Sequence, residues 1–124
     1  MLRMTTIALT LAATVTASAA LAQSAAPSYQ ADPDVYKVIF EDANFRVVSA
    51  IWKKGSGPDK PHSHSQPFVI YALDDCKIRV TNPDGTSREI TPKAGTSFAG
   101  PLTASHTAQN IGDADCHALQ IERK

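Results

Sequence analysis

Three of the four histidines in this chain are placed so that they could share one metal ion. His62 and His64 are two residues apart in Pro61-His62-Ser63-His64, and His106 follows much later, in Pro101-Leu102-Thr103-Ala104-Ser105-His106. On a β-strand, side chains at i and i+2 point to the same face. A strand through His62 and His64 therefore presents two imidazoles side by side, and a second strand carrying His106 would complete a three-nitrogen donor set. Neutral imidazole suits zinc, copper, iron and nickel, and manganese completes the candidate divalent metals. Three such ligands leave the charge of a divalent metal uncompensated, which acidifies a bound water and favours an anionic ligand. With coordination positions left open, the set can support a hydrolytic zinc-water or an iron centre that takes up substrate and oxygen.

The elements that must hold these side chains are short strands. Apolar and β-branched runs occupy residues 35–40, 45–52, 66–73, 76–81, 86–91, 96–98, 105–109 and 116–122. Turn sequences separate them: Lys53-Lys54-Gly55-Ser56-Gly57-Pro58, Asp74-Asp75, Asn82-Pro83-Asp84-Gly85 and Asn110-Ile111-Gly112-Asp113. The third of these is a strong hairpin signal. Eight or nine strands at this regular spacing, with no useful helical periodicity, predict an all-β sandwich or barrel. There are no internal repeats.

Gly95, Pro101, His106 and Asn110 fall at the positions of the second cupin motif, G-x5-P-x-G-x2-H-x3-N, with Thr103 in place of the middle glycine. Pro61-His62-Ser63-His64 resembles the H-x-H heart of the first cupin motif. Over residues 36–123 the chain resembles a small single-domain cupin. The resemblance implies a jelly-roll β-barrel of two antiparallel sheets, with both motifs on facing strands and their histidines converging on a metal. It carries over three ligands, His62, His64 and His106. The glutamate that usually follows the first motif is absent, since Phe68 and Val69 stand at its positions, and Gln66 is the nearest polar side chain. The closing glycine of that motif is also missing, with Asp75 or Cys76 in its place. Cupin dioxygenases with three-His iron are known, so the loss of the glutamate leaves an enzyme open while removing the usual internal base.

Around the metal, Gln66, Phe68, Tyr71 and Phe98 are the expected pocket residues, with Tyr71 able to offer a hydroxyl to a bound ligand. Trp52 reads as core or pocket lining. His117 is read as an isolated strand histidine, and Asn110 as a residue that serves its own turn.

The termini and composition frame the setting. Residues 1–22 read as a secretory leader: Arg3 near the start, an apolar run over residues 7–20, and Ala20-Leu21-Ala22 as a cleavage site after Ala22. Residues 23–34, rich in Ala, Ser, Gln and Pro, read as a flexible lead-in, and residues 35–124 as the cupin domain. Without Arg3 the mature chain holds 11 basic and 12 acidic residues. That balance argues against a nucleic-acid partner, and no second apolar segment argues for a membrane in the mature form. The expected site of action is the periplasm or the exterior. Cys76 and Cys116 are either a disulfide or two buried thiols, and an oxidising compartment favours the first. The jelly roll adds to this by implying that the two turns preceding them lie at one end of the barrel.

Three functions follow as expectations. The first is a secreted cupin that binds a divalent transition metal through three histidines, with a small-molecule ligand. The second is a three-His iron dioxygenase, in which Tyr71 or Gln66 orients the substrate. The third is a metal-free β-barrel interaction module, a homodimer through an exposed strand or sheet face.

Overall fold

A computed structural model describes residues 23–124; the leader assigned to residues 1–22 lies outside the described residues. Nine strands follow one short helix: α1 (Ser28–Ala31), β1 (Tyr36–Glu41), β2 (Phe45–Trp52), β3 (His62–His64), β4 (Phe68–Ala72), β5 (Ile78–Thr81), β6 (Ser87–Ile90), β7 (Ser97–Ala99), β8 (Thr103–Asn110) and β9 (Cys116–Arg123). They form a five-stranded sheet, β1-β2-β9-β4-β7, and a four-stranded sheet, β3-β8-β5-β6. All strand pairs are antiparallel. The expected all-β jelly roll is the observed fold.

Period-two alternation fixes which side chains face inward. On β2 and β9 the register pairs Val48 with Gln120, Ala50 with Ala118 and Trp52 with Cys116, and all six are buried. A slip of one residue would turn the whole set to solvent, so the pattern specifies the register. Several inward positions are alanines, among them Ala72, Ala108 and Ala118. Such small side chains, contributed by both sheets, leave unfilled space inside the barrel.

Cys76 and Cys116 form a disulfide, with Cα atoms 5.3 Å apart. It ties the segment entering β5 in one sheet to the start of β9 in the other. Cross-linking across a 40-residue separation shrinks the unfolded ensemble, an effect of about 4 kcal/mol in the loop-entropy picture.

The flexible lead-in expected at residues 23–34 is instead docked on the barrel. Ala25 N–H donates to Ala104 O, and Ser63 N–H to Ala26 O. Pro27 bridges Ser63 in parallel. Ser28 and Asp32 are buried, and Asp32 Oδ2 accepts the Lys60 N–H at 3.0 Å. The segment thus covers the open edge of β3, whose backbone groups would otherwise lack partners. No helix among the described residues is long and apolar enough to cross a membrane.

Candidate metal centre

The three motif histidines meet inside the barrel. β3 pairs with β8, and His62 stands opposite His106 in register, while an irregularity shifts His64 opposite Thr103. The two motif strands are therefore hydrogen-bonded neighbours in one sheet rather than strands facing each other across the barrel. One nitrogen from each of His62, His64 and His106 lies within 4.8 Å of the other two. All three residues are buried.

Each ring is held by different neighbours. His62 Nδ1 lies 2.9 Å from Lys60 O, an arrangement that puts the proton on Nδ1 and leaves the Nε2 lone pair facing inward. His62 Nε2 is 3.0 Å from His106 Nε2. His64 stacks on Phe68, with ring centroids 4.4 Å apart and planes 22° apart. His64 Nδ1 is buried with no hydrogen-bond partner. Burial, reinforced by His62 and His106, pushes the His64 pKa down to about 3. Burial, then His62 and Arg88, push His106 down to about 4. Both rings are neutral at pH 7, the state that ligates metal. Three ring nitrogens converging within 4.8 Å, on a trio that includes a buried His64 nitrogen without a partner, fit a metal ion.

A carboxylate does approach the site, but not at the position of the usual glutamate. Asp59 is buried three residues before His62, with Oδ1 3.6 Å from His62 Nδ1. Oδ1 accepts the Ala108 N–H at 2.7 Å; Oδ2 accepts the Tyr36 hydroxyl at 2.6 Å and Trp52 Nε1–H at 3.1 Å. Tyr36 Oη also lies 3.4 Å from His62 Nε2. Burial and the Asp59 carboxylate together hold the Tyr36 phenol protonated, well above the usual phenol range. Asp59 thus sits behind His62 as part of a hydrogen-bonded layer; Lys60 O fixes the ring, and the nearby carboxylate can offset positive charge.

Above this layer lies a cavity of about 60 Å³, walled mainly by apolar groups from both sheets. It has room for a few waters or a small ligand beside a metal. Phe68 and Phe98 line it, as expected. Tyr71 does not: β4 buries Phe68 and Ala72 and turns Val69 and Tyr71 to the outer face. Gln66 is exposed in the connection before β4, outside the cavity. The cavity's polar groups beyond the histidines are instead Tyr36, Trp52, Gln120 and Arg88.

His117 stands apart from the cluster, on the outward positions of β9, with Nε2 2.9 Å from Ser49 Oγ. Asn110 serves its turn: its Nδ2 donates to Trp52 O and Ala114 O, and its Oδ1 accepts the Gly112 N–H. Gly95, the first residue of the second motif, has a φ of +79° at the turn into β7, where a glycine is favoured.

No protein-family model matches the chain, and no curated protein matches it in sequence. Solved structures do. A cupin domain from Bordetella pertussis Tohama I superposes with a TM-score of 0.65 at 20% identity, covering 85% of this chain and 99% of that one. An RmlC-like cupin family protein with a double-stranded β-helix fold, from Methanocaldococcus jannaschii, gives 0.57 at 12% identity, over 72% and 78%. A variant of oxalate decarboxylase from Bacillus subtilis gives 0.50 at 22% identity, over 65% of this chain and 22% of that one. The likeness is one of fold, and the fold is that of the cupins.

Proposed function

We propose that this protein is a metal-binding cupin acting outside the cytosol. Its three-His centre holds a divalent transition metal and presents the open positions to a small ligand in the barrel cavity. The observation that carries the reading is the convergence of three buried imidazole nitrogens within 4.8 Å of one another. The hydrogen bond of His62 Nδ1 to Lys60 O, with the Asp59 carboxylate nearby, supports it, because metal-binding histidines commonly have their second nitrogen fixed by a carbonyl or carboxylate.

A bound metal would supply Lewis acidity to whatever ligand fills its open positions. The chain's own residues do the rest. Lys60 O orients His62, Phe68 orients His64, and the apolar walls keep bulk water from the ligand. The likeness to oxalate decarboxylase assigns no substrate to this chain.

The leader-like sequence at residues 1–22 and the Cys76–Cys116 disulfide both support an oxidising, extracytosolic location. An oxygen-dependent enzyme is the second reading, favoured by the sheltered apolar cavity that adjoins the histidines.

Thermal unfolding tests the proposal. A metal bound only by the folded state raises the melting temperature by mass action, and a chelator reverses the rise. Titration of the metal-free protein with zinc, iron(II), copper(II), nickel and manganese should show it for at least one. A melting temperature unmoved by every metal would contradict the proposal.

A further inference from the structure

Arg88 lies on the inner face of β6, in the same sheet as the strands that carry His62, His64 and His106. β6 pairs with β5 so that Arg88 stands opposite Val80, and Val80 stands opposite Ala108 on β8. Val80 and Ala108 are buried inward residues, so the row Arg88–Val80–Ala108 faces the cavity. His106 is two residues from Ala108 on the same strand face. Arg88 itself lines the cavity.

Three features set it apart from a surface arginine. Its neighbour Glu89 points to the outer face, where Arg79 and Lys77 pair with it. Among the described residues Arg88 has no ion-pair partner of its own. And no Asp or Glu is among the cavity-lining residues. A guanidinium placed over an apolar pocket without a counter-ion has its donors free for a planar anion.

We infer that the cavity's ligand is a small carboxylate, bound between the three-His metal and the guanidinium of Arg88. This rests on the metal reading above. Two positive groups flank a space free of acidic side chains, so an anion is held at both ends while a neutral molecule of the same shape gains neither attraction. The small volume limits the carboxylate to a few heavy atoms. Arg88 is exposed on an edge strand, so replacing it leaves the buried packing in place.

The test uses the purified protein loaded with cobalt(II), whose visible absorption reports ligands entering the metal sphere. Acetate is titrated, with acetamide as its neutral isostere, into the wild type, Arg88→Gln and Arg88→Lys. The inference expects acetate to bind more tightly than acetamide in the wild type. It expects Arg88→Gln to keep the cobalt stoichiometry but lose about tenfold or more in acetate affinity, and Arg88→Lys to retain part of it. Equal acetate affinity in wild type and Arg88→Gln, or no preference over acetamide, would overturn the inference and leave the metal site standing. Failure of the wild type to take up cobalt would overturn the metal reading and the inference with it.

Discussion

The Tyr36 hydroxyl donates to Asp59 Oδ2 at 2.6 Å, joining the first strand to the loop that leads into the histidine strand. The same carboxylate takes N–H donors from Trp52 on β2 and Ala108 on β8, and lies 3.6 Å from His62 Nδ1. One buried side chain therefore ties three strands to the loop that leads into His62.

Asp59→Asn should weaken both the fold and the site. The amide keeps the shape, but one of its two oxygen positions becomes a donor facing another donor. A buried donor left without its acceptor costs about 1–3 kcal/mol. Loss of such an outer partner commonly lowers metal affinity about 10–100-fold. Tyr36→Phe removes one donor and leaves the carboxylate, so its effect on stability should be smaller, about 1 kcal/mol. Urea unfolding and competition with a chromogenic chelator measure the two effects. Unchanged metal affinity in Asp59→Asn would remove Asp59 from the account.

Gly100→Ala should disturb the site from a distance. A Cβ at Gly100 would run into the Phe68 ring, which stacks on His64. Overpacking of this kind costs about 1–3 kcal/mol. The prediction is a lower melting temperature and weaker metal binding, with Phe68→Leu in the same chain recovering stability by making room. A Gly100→Ala protein with wild-type stability would show that Phe68 moves without cost.

The metal-free protein should lose stability as pH falls from about 6.5 to 4. The sign follows from protonation. His64 and His106 have folded pKa values of about 3 and about 4, against an ordinary value of 6.5. Below pH 6.5 the unfolded chain takes up protons on these rings that the folded chain refuses, so unfolding gains. The carboxylates held low by ion pairs and backbone N–H groups, such as Glu41 and Asp42, add to the loss only at the acid end of this window and below it. Urea unfolding across pH, repeated on a His64→Phe variant, measures it; the variant's curve should be flatter between pH 6.5 and 4.

Reduction of Cys76–Cys116 should destabilise the folded protein by about 4 kcal/mol, given the length of chain it closes. Urea unfolding with and without a reductant measures the difference. A reduced protein as stable as the oxidised one would make the disulfide a passive marker of the compartment.

The strands and the His62–His64 pair were legible because both follow local rules, while His106 joined them through the resemblance to the second cupin motif. The i, i+2 spacing puts His62 and His64 on one face, and period-two alternation defines β2, β8 and β9. The same alternation, counted from Phe68, places Tyr71 on the outside of β4. Asp59 was not legible. It lies in a loop with no alternation, and its partners Tyr36, Trp52 and Ala108 converge only in the folded chain. Composition also misled at the N-terminus: residues 23–34 look like a linker, yet Pro27 bridges Ser63, Asp32 accepts the Lys60 N–H, and the buried Ser28 hydroxyl reaches Gln120 Oε1 on β9.

Elemental analysis of the purified, untagged protein beside its His106→Ala variant tests the central claim most directly. The account predicts about one equivalent of a divalent transition metal per chain in the wild type, and its loss in the variant while the disulfide and the β-sheet circular dichroism remain. No metal in the wild type, even after reconstitution with each candidate ion, would contradict it and leave a metal-free barrel.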